Sequence, residues 1–242
     1  MKKLHLAAIL LLTLLATTSW ASEILRPGRT IIISDRIDSN MNQVIATLED
    51  MTSDKSRRHI NIILDSPGGS VSSGMALIQT MDRVREQRGI QIYCYVNRLA
   101  ASMAMHILGS CDRRYAFPYT FLLWHEIRVN AGFGAVLTET GLVTLWRQLR
   151  LLSTLLEPRL MEALGLTPEV FYYHNAVETL WPAAKLAELS PGFLEIIRGL
   201  KWSNGKSINL ATPTGARLVV HRSEVGDIIE DLISSKLGTL GR

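Results

Sequence analysis

The strongest constraint on the fold is a compact β-rich run that ends in a proline-glycine turn and leads directly into a helical pattern. The run covers residues 60–64, the turn is residues 65–69, and residues 71–88 carry apolar side chains at helical spacing. A second strand-like run, 90–96, precedes a small, apolar segment at 103–108 that suits a buried helix. Strands that alternate with helices form a mainly parallel sheet covered by helices, so the sequence predicts an α/β fold.

Further elements extend this pattern on both sides. We expect a strand at 30–34, a helix at 39–51, and two short strands at 115–117 and 120–124 around Pro118. No internal repeat or low-complexity linker interrupts the series. The alternation therefore continues through the middle of the chain.

A long helical stretch follows at residues 137–164. Its apolar side chains recur on one face, a pattern that predicts packing in the core or at a subunit interface. The residues of this face are Leu142, Leu145, Trp146, Leu149, Leu152 and Leu156. Proline inside a helix removes a hydrogen bond and costs about 3 kcal/mol. We therefore expect Pro158 to begin a second helix, with a kink or break near Glu157.

Composition bounds the class of protein. Of the 242 residues, 47% are hydrophobic and 20% are charged, which is typical of one globular domain of good size. The net charge of +4 falls to +2 if Lys2 and Lys3 are removed, so it gives no reason to expect nucleic acid as a partner. No metal-ligand spacing, P-loop or dinucleotide fingerprint occurs, and we expect neither a metal nor a cofactor.

The first residues resemble an export signal. Lys2 and Lys3 precede an apolar run at 6–15, and Ser19-Trp20-Ala21 resembles a cleavage site. We expect cleavage and a periplasmic or secreted protein. If cleavage fails, residues 4–21 approach the length of a membrane anchor.

Two cysteines, Cys94 and Cys111, would enter an oxidising compartment after export. A disulfide is one possibility. Because both lie in apolar stretches, we expect buried free thiols instead.

Three short motifs stand at predicted strand ends. In Ser66-Pro67-Gly68-Gly69, successive glycines allow the backbone to approach a ligand and direct N–H groups at a developing negative charge, although such a pair also marks ordinary tight turns. Ser102 lies among small residues at a strand-to-helix junction, where it is either an exposed nucleophile or a helix cap. His125 ends an apolar strand, where most histidines have structural roles.

The order of these three motifs resembles the Clp protease proteolytic subunit. The similarity covers about residues 60–189 and is clearest in "INIILDSPGGSVSSGMALIQTM" and "AASMAMHILGSCDRRYAFPYTFLLWHEI". It implies the fold that this family shares with crotonases, with repeated β-β-α units and a protruding long helix. It also implies a serine endopeptidase.

The resemblance assigns catalytic roles to four residues. Ser102 would be the nucleophile and His125 its general base, while the backbone amides of Gly69 and Met103 would form the oxyanion hole. His106 lies four residues after Ser102, on the same face of the presumed helix. The resemblance favours His125 as the base and leaves His106 a packing residue.

The substrate-binding part also follows from the resemblance. Gly68, together with Gly132 and Gly134, would line the path of an extended peptide, which implies weak sequence preference. The apolar face of the long helix would join subunits into a homo-oligomer, and Pro158 puts the usual double-ring arrangement in question.

Two positions depart from the family pattern. The aspartate of the triad is missing, and Glu178 is the residue nearest to its position. Asn175 is a weaker candidate for this role. We expect His174, beside Asn175, to be a surface residue. Arg98 replaces a glycine before the nucleophile and is expected either to narrow the substrate channel or to accompany a loss of activity.

We expect three parts in the chain: an export segment at 1–21, a domain at 22–191 that resembles the Clp-type peptidase, and an extension of unknown role at 192–242. Within the extension we expect a strand at 216–221 and an amphipathic helix at 225–237.

An exported enzyme meets neither ATP nor a cytoplasmic ATPase. The sequence therefore favours ATP-independent cleavage of short or unfolded polypeptides, with no cytoplasmic ATPase as partner. The alternatives are a catalytically impaired peptide-binding or assembly protein, a crotonase-like acyl-CoA enzyme, and a serine peptidase with Lys55 as base.

Overall fold

The computed structural model describes residues 23–25, 28–54, 56–128, 138–197, 200–202, 208–211 and 217–220. The export segment, Lys55, Gly132, Gly134 and the helix expected at 225–237 lie outside the described residues. Within the described ranges, no helix combines the length and the apolar composition needed to cross a membrane.

The elements alternate between strands and helices through most of the chain. The strands are β1 (Glu23–Leu25), β2 (Thr30–Ser34), β3 (His59–Ser66), β4 (Gln91–Ala101), β5 (Arg113–Ala116), β6 (Phe121–Leu123), β7 (Trp181–Pro182), β8 (Glu195–Ile196), β9 (Leu200–Trp202), β10 (Ile208–Ala211) and β11 (Arg217–Val220). The helices are α1 (Met41–Met51), α2 (Val71–Arg88), α3 (Met103–Gly109), α4 (Glu139–Leu164), α5 (Pro168–Val177) and α6 (Ala183–Leu189).

The main sheet has the strand order β11-β10-β2-β3-β4-β5-β8. The pairs from β10 through β8 are parallel, and β11 joins β10 antiparallel. β4 is long enough to pair with β5 along its first half and with β6 along its second. The predicted α/β fold with a parallel sheet and a long helix is confirmed.

The apolar run that opened the sequence analysis forms the centre of this sheet. Ile60, Ile62 and Leu64 are fully buried in β3, and Ile63 is nearly so on the opposite face. A strand that is covered on both faces requires apolar residues without alternation. Each of these side chains contributes roughly 1.5–3 kcal/mol by burial, so β3 supplies much of the core of the sheet.

The carboxyl ends of β2, β3 and β4 lie at one edge of the sheet because these strands are parallel. β6 also runs parallel to β4, and Ala101 is opposite Leu123 at their ends. The turn after β3, Ser102 after β4 and His125 after β6 therefore emerge at the same edge, which is the usual place for a site in such a sheet.

Helix α4 passes through Pro158 without interruption, so the expected break near Glu157 is wrong. Thr138 caps its start by accepting a hydrogen bond from the Gly141 N–H at 3.1 Å. On its second half, Leu156, Leu160 and Leu164 are buried in the main core. This packing holds the helix together across the hydrogen bond that Pro158 lacks.

Cys94 and Cys111 form a disulfide, so the expectation of free thiols is wrong. Their Cα atoms are 6.0 Å apart, and both residues are almost fully buried. Apolar surroundings did not distinguish a buried thiol from a buried disulfide. The bond joins β4 to the segment after α3 and closes a loop that contains Ser102.

Candidate active site

Ser102 occupies a sharp turn between β4 and α3. Its backbone has φ 56° and ψ −125°, which is disfavoured for a residue with a Cβ and costs on the order of 1–3 kcal/mol. Its N–H donates to the Leu123 carbonyl at 2.9 Å, which holds the turn against β6. The side chain makes no capping hydrogen bond to the helix. The hydroxyl is therefore available for other chemistry, and the helix-cap alternative has no support.

The turn after β3 fits closely against Ser102. Gly68 has φ 89°, and a Cβ at this position would lie 2.5 Å from the Ala101 carbonyl oxygen and 2.6 Å from the Ser102 Cβ. Gly69 has φ 151°, and its Cβ would lie 2.2 Å from the Ile37 carbonyl oxygen. Both glycines are thus required by contact as well as by conformation, and a simple surface turn would not need them.

One cleft brings four of the predicted site residues together. It has a volume of about 470 Å³. Its described lining consists of Arg36, Pro67, Gly69, Val71, Ser102, Met103, His106, His125, Ile127, Arg128 and Leu156. Ser102, His125, Gly69 and Met103 all belong to this set, as a serine nucleophile, a base and two backbone donors require.

His125 is held by the buried side chain before it. Trp124 stacks between Phe171 and Trp181, and its indole N–H donates to the Phe171 carbonyl at 3.4 Å. The His125 Nδ1 lies 2.6 Å from the Glu126 carbonyl oxygen. Because a carbonyl only accepts, Nδ1 carries the proton and Nε2 is left to accept one. This is the tautomer that a general base for Ser102 needs.

The structure shows no hydrogen bond between Glu178 and His125. Glu178 ends α5 in a left-handed conformation, φ 53°, and its carboxylate forms an ion pair with Arg128 at the rim of the cleft. Asn175 is buried and donates to Glu157 at 3.4 Å. Neither candidate for the acid member of the triad therefore forms a hydrogen bond with the His125 imidazole, and the Glu126 carbonyl is the partner of Nδ1 instead.

His106 lines the cleft from beneath and is nine-tenths buried. Burial lowers its pKa to about 4, and the neighbouring His125 adds to the effect. Its Nδ1 has no hydrogen-bond partner among the described residues. The His106 imidazole is therefore neutral and buried, and it forms part of the wall of the site.

His174 is half-buried, where a surface residue was expected. Its Nδ1 bonds to the Thr179 hydroxyl at 3.0 Å, and its ring packs edge-on against Trp124 and Trp181. Desolvation lowers its pKa. It supports the aromatic group behind His125.

Arg98 is not among the described residues that line the cleft. Its Nε donates to the Asp65 carboxylate at 2.6 Å. The ion pair holds the guanidinium against the end of β3.

The sequence analysis missed Arg36 and Arg128, which both line the cleft. Each lies shortly after a predicted strand, two residues after β2 and five after β6. The convergence of parallel strand ends was the signal available for Arg36. It was applied only to the glycine, serine and histidine motifs.

Comparison with known proteins identifies the family of the chain. The family model for Clp protease matches residues 17–139, which include the glycine turn, Ser102 and His125. A proteolytic subunit of ATP-dependent Clp protease from Streptococcus sanguinis is 30% identical over 172 residues, which are 70% of this chain and 84% of that protein. The chain belongs to the Clp protease family.

Other members match over a shorter part. Proteolytic subunit 2 from Rhodococcus jostii is 29% identical over 118 residues, 48% of this chain and 57% of its own length. Proteolytic subunit 1 from Corynebacterium jeikeium is 30% identical over 117 residues, 47% of this chain and 59% of its own length. The chain thus spans less than two thirds of these two relatives.

Proposed function

We propose that this Clp protease family member is a serine endopeptidase that cleaves short or unfolded polypeptides through an acyl-enzyme on Ser102. The observation that carries the proposal is the strained Ser102 backbone in contact with Gly68, in a cleft shared with His125. A non-glycine residue with positive φ, held by surrounding structure, is typical of a functional site.

The reaction follows from the roles of four groups. His125 Nε2 takes the proton of the Ser102 hydroxyl, whose oxygen attacks a peptide carbonyl, and the N–H groups of Gly69 and Met103 stabilise the oxyanion. The imidazolium then protonates the leaving amine. Water, activated by the same imidazole, releases the acyl group and restores Ser102.

A fluorophosphonate probe tests this proposal because it reacts only with an activated serine. We expect labelling of the full chain that disappears in Ser102→Ala and falls roughly 10³-fold or more in His125→Ala. Ser53→Ala is the matched control, since Ser53 is exposed just after α1 and its hydroxyl donates to the Asp50 carbonyl at 2.7 Å. Labelling that survives Ser102→Ala would overturn the proposal.

Glu178 permits a finer test of the mechanism. Loss of a triad acid costs about 10⁴-fold in turnover. If the Glu126 carbonyl holds the tautomer, Glu178→Gln should cost less than about tenfold, because its carboxylate pairs with Arg128. A loss near 10⁴-fold would assign Glu178 to the triad as the sequence predicts.

A catalytically impaired peptide-binding protein is the second candidate. It is favoured by the lack of a hydrogen bond between any carboxylate and His125 among the described residues. Such a protein would bind unfolded polypeptide yet resist the probe. Binding of a casein-derived peptide without labelling would support this candidate over the enzyme.

Export and independence from ATP form part of the proposal. The disulfide between Cys94 and Cys111 supports an oxidising compartment, as the export signal does. The relatives carry names of ATP-dependent proteases, whereas ATP is a cytoplasmic substrate. We expect the purified chain to cleave peptides equally with and without ATP, and the mature protein to begin at Ser22 by N-terminal sequencing.

Self-association is supported by the exposed half of α4. Four large apolar residues of this half each expose half or more of their surface, which is a large apolar area for a surface helix; they are Leu142, Trp146, Leu151 and Leu155. Burial of these side chains between copies would explain their exposure in the single chain. Light scattering should give a homo-oligomer, and Trp146→Glu should lower the mass.

A further inference from the structure

The cleft around Ser102 has a one-sided charge. Its described lining contains two arginines, Arg36 and Arg128, and no aspartate or glutamate. The side chains of Val71, Ile127 and Leu156 make other parts of the wall apolar. Cations in a partly enclosed cleft attract negative groups more strongly than they do on an open surface.

The two arginines differ in whether they already form an ion pair. Arg128 forms an ion pair with Glu178, which neutralises much of its charge. Arg36 is exposed and forms no ion pair with any carboxylate that the structure describes. Among the described lining residues, Arg36 therefore carries the positive charge that no ion pair neutralises.

The backbone around Arg36 is fixed to the oxyanion turn. Asp35 has φ 71°, and its N–H donates to the Asp65 carbonyl at 3.1 Å. On the other side, the Ile37 N–H donates to the Gly68 carbonyl at 2.9 Å, and the Ile37 carbonyl accepts from the Ser70 N–H at 2.7 Å. Arg36 is thus held between two restrained residues, beside the turn that faces Ser102.

We propose that Arg36 binds a carboxylate of the peptide substrate and makes the enzyme prefer cleavage next to a negative charge. Arginine matches a carboxylate with two parallel hydrogen bonds, which add specificity as well as binding. The carboxylate comes either from an aspartate or glutamate side chain or from the free C-terminus of a short peptide. The inference rests on the proposed peptidase function.

Matched fluorogenic peptides separate these two sources. One set places Glu or Gln at each position around the cleavage site, and a second carries a C-terminal acid or amide on an otherwise identical sequence. We expect the wild-type chain to prefer the charged member of one set by about tenfold in kcat/KM, as for a charged hydrogen bond. The preference should fall with added salt.

Three variants assign the preference to a residue. Arg36→Gln should reduce the charged-to-neutral ratio to near one, and Arg36→Lys should keep part of it. Arg88→Gln, which removes an exposed arginine at the end of α2, should leave the ratio at the wild-type value. Arg128→Gln should change it less than Arg36→Gln, because Arg128 is already paired.

The outcomes distinguish this inference from the peptidase proposal. If the chain is labelled and cleaves peptides without charge preference, or if Arg128→Gln alone removes the preference, the role of Arg36 is overturned and the enzyme stands. If no cleavage occurs, the role of Arg36 is tested by measuring the binding of the same peptides to Ser102→Ala by fluorescence anisotropy. Equal affinity for charged and neutral members there would overturn the inference.

Discussion

Reduction of the disulfide should destabilise the chain by about 3 kcal/mol. Cys94 and Cys111 are separated by 17 positions, and a cross-link that closes a loop of this size removes about that much conformational free energy from the unfolded state. The whole stability of a domain is typically 5–15 kcal/mol, so the change is large. It should be visible as a clear shift in the urea midpoint.

The assay compares urea unfolding of the oxidised and reduced wild-type chain at one fixed protein concentration, since self-association changes apparent stability. The double variant C94A/C111A is the control, and reductant should not affect it. The variant should be less stable than even the reduced wild type, because each buried sulfur that is removed leaves a small cavity.

The same experiment examines the active site. Ser102 lies within the closed loop, eight residues after Cys94 and nine before Cys111. Reduction should therefore slow fluorophosphonate labelling at urea concentrations where the oxidised chain is still folded. Equal stability with and without reductant, or alkylation of both thiols in the unreduced folded protein, would refute the reasoning.

Three further perturbations follow from the structure. The pKa of His106 is about 4 in the folded chain and 6.5 in the unfolded chain. The contribution of the neutral imidazole to stability is therefore complete above pH 6.5, and on the order of 3 kcal/mol is lost as the pH falls toward 4. Urea unfolding of His106→Leu should show a weaker pH dependence than that of the wild type. Gly68→Ala should abolish probe labelling, because the added Cβ would collide with Ser102. Gly89→Ala is the control, since Gly89 also has a positive φ, 63°, but has open space around it. This control should cost about 1 kcal/mol in urea unfolding and leave labelling intact. Hydrogen bonds from Arg159 lower the pKa of Asp82 below its ordinary value of 3.8, so the stabilising contribution of its carboxylate is present above that value and is lost as the pH falls through the lower folded pKa. Asp82→Asn should therefore cost about 1 kcal/mol in urea unfolding at pH 7 and progressively less as the medium is made more acidic.

The sheet was predictable because burial on both faces leaves a strong mark in sequence. The run at 60–64 lies within β3, and the glycine turn, the serine and the histidine all follow strands, as expected. The exact end of β4 was not predictable. The predicted strand covers residues 90–96, yet pairing of Leu99 and Ala101 with β6 extends β4 to the residue before Ser102.

Features that depend on tertiary contacts were the ones that sequence missed or misjudged. Pro158 is tolerated because the helix around it is packed, and the cost of proline alone indicates a break. The carbonyl of Glu126 at the His125 ring is a backbone group, and no side-chain motif reports it. Arg98 is positioned by Asp65, a partner 33 residues away in the chain.

The disulfide, the glycine turn and β6 together explain how the chain keeps Ser102 in a disfavoured conformation. The Leu123 carbonyl holds its N–H, Gly68 packs against its Cβ, and the loop closed by Cys94 and Cys111 restrains both flanking elements. A strain of a few kcal/mol persists only where several independent restraints oppose its release. Each restraint can be removed separately, and loss of any one should relax the Ser102 backbone toward negative φ and lower the reactivity of its hydroxyl before the domain unfolds.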